Sequence, residues 1–310
     1  MYSGTKAMFF ALSRSAALKR FASHHGMARP ESFARRFIAG ETVEEAIEVS
    51  RALQARGMHV TLDHLGESVR TFEEAGNAAH EYVHLIGLIV ASGIERNISL
   101  KLTQLGIGVD HATCVDNLRR VLEPARRHGF FVRIDMENSQ YTDATLRVFE
   151  TLWTQQYRNV GVALQAYLRR TDSDVQRMNE LGARVRLVKG AYKEPASLAY
   201  RQKADVDAAF LRHARTLLTS GNYPAIATHD EAILEQVCAY AREQNIPSDR
   251  YEFQMLYGIR RDLQTSLASS GHRMRIYVPF GKEWFPYFMR RLGERPANVG
   301  FVIRGILHER

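Results

Sequence analysis

Cysteine is nearly missing from this chain: Cys114 and Cys238 are the only two among 310 residues, and they form no C-x-x-C pair. That excludes a disulfide framework and a thiolate metal site, and it fits a reducing cytoplasm. Proline is sparse at 8 residues and no low-complexity tract occurs, so the composition marks no disordered region. Long apolar runs are absent too. The longest mostly apolar stretch, Tyr82 to Ile94, contains His84 and falls well short of the ~20 residues that span a bilayer. No H-E-x-x-H zinc motif, P-loop or G-x-S-x-G elbow appears. The one G-x-G, Gly106-Ile107-Gly108, lacks the third glycine of a dinucleotide fingerprint, so any dinucleotide is held without a Rossmann motif and no metal is expected.

What is present describes a folded globule, with 45% hydrophobic and 25% charged residues. The formal net charge of +8 permits nucleic acid, an anionic membrane surface or an acidic small molecule as partner. Lys and Arg are scattered instead of massed in one block, which favours a solvated basic surface and no nucleic acid. The first 25 residues are basic, amphipathic and free of Asp and Glu. This pattern describes either a mitochondrial transit peptide or an amphipathic first helix that packs on the domain or touches an anionic membrane. The helix is preferred, because no clear break separates it from Phe33-Ala34-Arg35-Arg36-Phe37-Ile38. The resulting division is an N-terminal helical segment over 1–45 and a catalytic domain over 46–310.

Short β-rich runs recur at His59 to Asp63, Ile98 to Leu102, Phe131 to Asp135, Val160 to Gln165, Val185 to Lys189, Ala225 to His229, Tyr251 to Met255 and Arg275 to Val278. The segments between them are long enough for crossover helices and carry helical periodicity, as at Leu146, Phe149 and Trp153, so the strands should be parallel. Eight strand-helix units in succession predict an α/β protein built as one (β/α)8 TIM-type barrel with additional N-terminal helices.

In a barrel of this kind the active site forms at the C-terminal strand ends. The residues there are Asp63 and Glu67, Lys101, Asp135 and Glu137, Gln165, Lys189 and Tyr192, Thr228 and His229, Gln254 and Tyr257, then Tyr277. This mixed, largely cationic ring suits an anionic ligand such as a carboxylate or pyrophosphate, through charge-assisted hydrogen bonds. Blander readings stand beside it: Lys189 as a solvated rim residue, Arg186 crossing the barrel to an acid such as Asp135, and Arg290 and Arg291 complementing a helix dipole. Lys189 also permits a rival chemistry, a Schiff-base aldolase with that amine as nucleophile.

At Arg186-Leu187-Val188-Lys189-Gly190-Ala191-Tyr192 and Tyr287-Phe288-Met289-Arg290-Arg291-Leu292 the chain resembles the proline dehydrogenase family. The likeness extends to Leu62-Asp63-His64-Leu65-Gly66-Glu67, Arg133-Ile134-Asp135-Met136-Glu137, Gln165-Ala166-Tyr167-Leu168, Ala227-Thr228-His229-Asp230 and Glu252-Phe253-Gln254-Met255-Leu256-Tyr257-Gly258, in the family's order. It runs from about Arg35 to the C-terminus, and 310 residues leave no room for the fused aldehyde dehydrogenase domain of the bifunctional relatives. The monofunctional form is therefore expected.

The resemblance implies oxidation of L-proline to Δ1-pyrroline-5-carboxylate by hydride transfer to FAD. It assigns Lys101, Arg290 and Arg291 to the proline carboxylate, and Tyr192, Leu256 and Tyr277 to the wall of the proline ring. Asp135 is implied as the acid that orients the cationic cluster, and Arg186 as the cation that stabilises charge developing on the flavin. Flavin contacts carried over are Met136, Gln165, Arg186, Lys189, Gly190, Ala191, Thr228 and His229. Glu67 matches an acid that pairs with Arg290 and closes the site. The family passes electrons to a membrane quinone or another acceptor, and a separate pyrroline-5-carboxylate dehydrogenase takes the product. A cytoplasmic protein, peripheral at the inner membrane surface through its basic start, is the expectation.

Overall fold

The computed structural model describes Met27, residues 32–66 and residues 69–294. The basic lead-in and Glu67 lie outside the described residues. Eight strands run His59–His64 (β1), Asn97–Leu100 (β2), Phe131–Ile134 (β3), Val160–Gln165 (β4), Val185–Val188 (β5), Ala225–Ala227 (β6), Glu252–Leu256 (β7) and Met274–Phe280 (β8). Every neighbouring pair is parallel, and β8 closes on β1 with His59 opposite Arg275 and His64 opposite Phe280. The (β/α)8 barrel expected from the eight β-rich runs is therefore the fold. Strand limits shift by a few residues: β6 stops at Ala227, and β8 continues through Pro279 to Phe280.

Helices occupy the connections as Phe72–Ser92 (α2), His111–Arg127 (α3), Ser139–Thr154 (α4), Thr171–Leu181 (α5), Lys203–Ser220 (α6), Glu231–Glu243 (α7) and Arg261–Ser269 (α8). They are preceded by Val43–Gln54 (α1) and followed by Trp284–Glu294 (α9). Local chemistry fixes several ends. Thr42 with Glu45, and Thr71 with Glu74, form reciprocal capping boxes that satisfy backbone N–H groups at the starts of α1 and α2. Gly93 and Gly182, both left-handed, close α2 and α5.

Alternation along each strand separates two environments. Val60, Leu62, Ile98, Leu100, Val132, Ile134, Leu187, Ile226, Phe253, Ile276 and Val278 are wholly or almost wholly buried and belong to the main apolar core. The opposite set holds Thr61, Asp63, Ser99, Arg133, Gln165, Arg186, Glu252, Gln254 and Arg275, all buried yet polar. Bonds from Arg186 on β5 to Ser99 on β2 and to Gln254 on β7 can pass only through the barrel interior. This lumen is an ionic and hydrogen-bonded network where barrels more often stack branched aliphatic side chains.

Helix α1 packs on the outer faces of β1 and β8, the slot an eighth barrel helix would otherwise fill. Helix α9 instead joins a second apolar cluster, Trp284, Phe285, Phe288 and Leu292 with Phe37, Ile38, Leu65 and Ile259. Leu65 follows β1 and Ile259 follows β7, so this cluster sits at the C-terminal mouth. The segment leading into α1 ties it down through Ala39 N to Pro279 O, Gly281 N to Gly40 O and Trp284 Nε1 to Glu41 Oε1. At Gly258, φ is +77° and a Cβ would stand 1.6 Å from Arg36 O, so this close approach admits only glycine.

Candidate active site

Four charged side chains meet inside the mouth. Lys101, just past β2, places Nζ 3.0 and 3.1 Å from the two oxygens of Asp63, and 3.3 Å from both Asp135 Oδ2 and Tyr277 OH. Arg186 donates to Asp135 Oδ1 at 2.5 Å, to Ser99 Oγ at 2.9 Å and to Gln254 Oε1 at 2.6 Å. Tyr277 donates to Asp135 Oδ2 at 2.6 Å and turns its ring face to Arg186, whose guanidinium carbon is 5.2 Å from the ring centre.

The electrostatics follow from burial and pairing. Burial alone would lower the Lys101 ammonium, but Asp63 and Asp135 hold it above its ordinary value. Burial would raise Asp135, yet Lys101, Arg186 and the Tyr277 hydroxyl keep it below the usual carboxylate range. Tyr277 is pushed well up by burial and by Asp135 and Asp63, so it stays a neutral donor. Both oxygens of Asp135 are engaged, which suits it to orienting the two cations and not to accepting a proton.

The strand ends around this quartet carry a different set. Gln165 closes β4 and donates to the Glu137 carbonyl at 2.8 Å. Glu137 accepts from both the Thr103 backbone N–H and hydroxyl, and burial raises its carboxyl pKa. His229 Nε2 accepts from Leu256 N at 2.9 Å, which assigns the ring proton to Nδ1. Thr228 Oγ1 accepts from Asp230 N. Lys189 ties its ammonium to Asp207 and Asp230, a cluster that Lys203 completes. An ammonium so bound has no lone pair for a carbonyl, and the aldolase reading is not favoured.

Gly190 follows Lys189 with φ +113°, and a Cβ there would lie 2.2 Å from the Tyr167 ring. Next to it, Ala191 and Tyr192 are exposed, Tyr192 at 38%. Although the residue is exposed, desolvation of its hydroxyl and then Glu137 raise the Tyr192 phenol, while Lys101 and Arg290 act in the opposite sense, so it stands within the field of both cations. Arg290 is exposed and Arg291 half-buried on α9, with guanidinium carbons 5.9 and 5.1 Å from the Tyr287 ring centre. Met136 is buried and Leu256 half-buried at the ends of β3 and β7. Glu67 cannot be placed, being outside the described residues.

Lys101, Asp135, Arg186 and Tyr277 thus come together directly, while Tyr192 is joined to Lys101 and Arg290 only through their charge. Asp63 and Gln254, read from sequence as members of the strand-end ring without a role of their own, also belong to the network, as do Ser99 and Glu252, which reading the strand ends does not single out. Strand parity was the available signal, since the residue two positions before each strand-end group faces the same lumen. Among the described residues, no cluster of His, Cys, Asp or Glu could hold a metal ion, and no helix is long and apolar enough to cross a membrane.

The family model described as proline dehydrogenase matches residues 46–304. Proline dehydrogenase 1 of Bacillus subtilis is 40% identical over 300 residues, covering 97% of this chain and 98% of that protein. The proline dehydrogenase of Deinococcus radiodurans is 41% identical over 280 residues, or 89% of this chain and 90% of that one. Among solved structures, proline utilization A from Bdellovibrio bacteriovorus, inactivated by N-propargylglycine, superposes with a TM-score of 0.78 at 30% identity, over 84% of this chain and 32% of that longer one.

Proposed function

The chain belongs to the proline dehydrogenase family, and we propose that it oxidises L-proline to Δ1-pyrroline-5-carboxylate with FAD as the immediate acceptor. The observation that carries this reading is Arg186, buried beneath the mouth and fixed on Asp135, Ser99 and Gln254. A cation held in a dry site stabilises charge that appears during reaction without first having to reorganise.

The donor set fits a flavin. Uncharged hydrogen-bonding groups at Gln165, Thr228 and His229 surround one fixed cation, with buried apolar surface at Met136 and a side-chain-free backbone at Gly190. Met136, Gln165, Arg186, Lys189, Gly190, Ala191, Thr228 and His229 are the residues that would hold it. When bound, FAD supplies the two-electron oxidant that takes hydride from the ring carbon beside the proline nitrogen.

The remaining work falls to the protein. Lys101, Arg290 and Arg291 bind the carboxylate, and Tyr192, Leu256 and Tyr277 wall the ring, which holds the reacting carbon in one pose. Asp135 orients Lys101 and Arg186 and offsets the cost of burying them. Loss of hydride from carbon and of the proton from nitrogen leaves the imine. A membrane quinone as next acceptor, a separate pyrroline-5-carboxylate dehydrogenase as consumer of the product, and a cytoplasmic site at the inner membrane surface complete the proposal.

The visible spectrum of the purified protein tests it. A yellow protein whose flavin band bleaches under anaerobic proline is expected. A colourless, folded protein that borohydride traps with a carbonyl substrate would return the aldolase reading.

A further inference from the structure

A buried guanidinium points where its acceptors hold it, and one acceptor of Arg186 has its own orientation set from deeper in the barrel. Gln254 on β7 is 4% exposed and meets Arg186 Nε through Oε1 at 2.6 Å. The two ends of an amide are alike in shape, so packing alone does not decide which faces the arginine. Glu252 decides it. Its carboxylate accepts from Gln254 Nε2, which leaves only the carbonyl end to turn toward Arg186.

Glu252 is itself held. Arg275 donates to it through Nε at 2.9 and 3.1 Å and through Nη2 at 3.0 Å, and Tyr223 OH lies 3.2 Å away. Arg275 is anchored by Glu95 at 3.0 Å and by Val60 O at 2.7 Å. Contacts therefore run unbroken from Glu95 near the start of β2 through Arg275, Glu252, Gln254 and Arg186 to Asp135 at the mouth. Such a series has few alternative arrangements, because each buried group that turns away leaves a partner unsatisfied.

We infer that Gln254, oriented by Glu252, is a positioning residue for Arg186 in proline oxidation. The inference rests on the proposed role of Arg186 at the flavin. It separates from substrate binding, since Gln254 touches neither Lys101 nor the α9 arginines. Single-turnover reduction by proline measures rate and affinity apart, and the flavin midpoint potential reads the placement of the cation without turnover. Gln254→Met keeps the volume and removes the acceptor. It should slow flavin reduction roughly tenfold, leave the proline dissociation constant within about twofold, and move the potential to more negative values. Exchanging the pair, Gln254→Glu with Glu252→Gln, keeps an acceptor toward Arg186, a donor between the two side chains and the net charge of the lumen, and should recover most of the rate.

Wild-type rate and potential in Gln254→Met would overturn the inference, as would equal losses in Gln254→Met and the exchanged pair that track melting temperature. Should Gln254→Met not fold, Glu252→Gln carries the test. It frees the amide to turn and should slow reduction about threefold at unchanged proline affinity; a wild-type rate there overturns the proposal. Proline that fails to bleach the wild-type protein would remove the flavin reading itself, whereas bleaching with unaltered variants removes only the role of Gln254.

Discussion

Asp63 and Lys101 face each other across β1 and β2 with both carboxylate oxygens within 3.1 Å of the ammonium, and Asp63 is wholly buried. Removing one partner would strand the other in the lumen. Lys101→Met should therefore destabilise the fold by about 3–5 kcal/mol, read by urea unfolding, besides weakening proline binding. Lys101→Met combined with Asp63→Leu should recover part of that stability. A cost near zero for Lys101→Met would show that the pair is already solvated.

For the substrate carboxylate, Arg290→Met and Arg291→Met should each lower apparent proline affinity by roughly 10- to 150-fold, the worth of one charge-assisted contact of about 1.5–3 kcal/mol. Proline titration of the flavin spectrum measures it. Unchanged affinity in both would return these arginines to the α9 surface.

Gly190 offers a steric test. Alanine there meets the left-handed φ of +113° and the Tyr167 ring at 2.2 Å, so Gly190→Ala should cost about 1–3 kcal/mol or more and lower the flavin content of the purified protein. Gly57→Ala is the control, since φ is +74° with nothing within 4 Å: it should lose stability without losing flavin. Equal flavin content in both variants would separate Gly190 from the cofactor.

Acid and neutral pH should act on two carboxyls, the half-buried Glu95 and the buried Glu137, in opposite senses. Burial would raise Glu95, but the His59 hydrogen bond, Arg275 and the Val60 N–H bring it down to about 2. Its stabilisation is present above its ordinary value and is lost as pH falls from about 4.5 toward about 2. Glu95→Gln should flatten that acid limb in a plot of melting temperature against pH. Glu137, raised by burial, binds its proton more tightly folded than unfolded, so stability declines as pH rises through the raised value. Glu137→Gln should remove that decline, and an unaltered curve would mean that Glu137 is hydrated.

The barrel was legible because its signal is local. Each strand is a short β-rich run, such as Val160 to Gln165 or Val185 to Lys189, separated from the next by helical periodicity. Strand-end chemistry was legible for the same reason: the fold places the last polar residue of each run at the mouth. Lys101 and Asp135 could therefore be named from their runs, whereas Arg186 lies inside its run, where it reads as crossing to an acid such as Asp135, and its role at the flavin came from the family resemblance.

Partner choice was not. Lys189 and Lys101 look alike in sequence, each closing a β-rich run, yet one turns to Asp207 and Asp230 and the other to Asp63 and Asp135. Glu252 and Gln254 sit two residues apart on one strand, and nothing in that spacing says that one orients the other toward Arg186. Local propensity and hydrophobic period determined the strands and the helices, since these depend on residues close in sequence, and the succession of eight such units implied the barrel. Only the tertiary structure decided which charges pair, because a buried ion is settled by whichever opposite charge the closed barrel brings within about 4 Å, and such partners stand 38 residues apart in the Lys101–Asp63 pair and 51 in the Arg186–Asp135 pair.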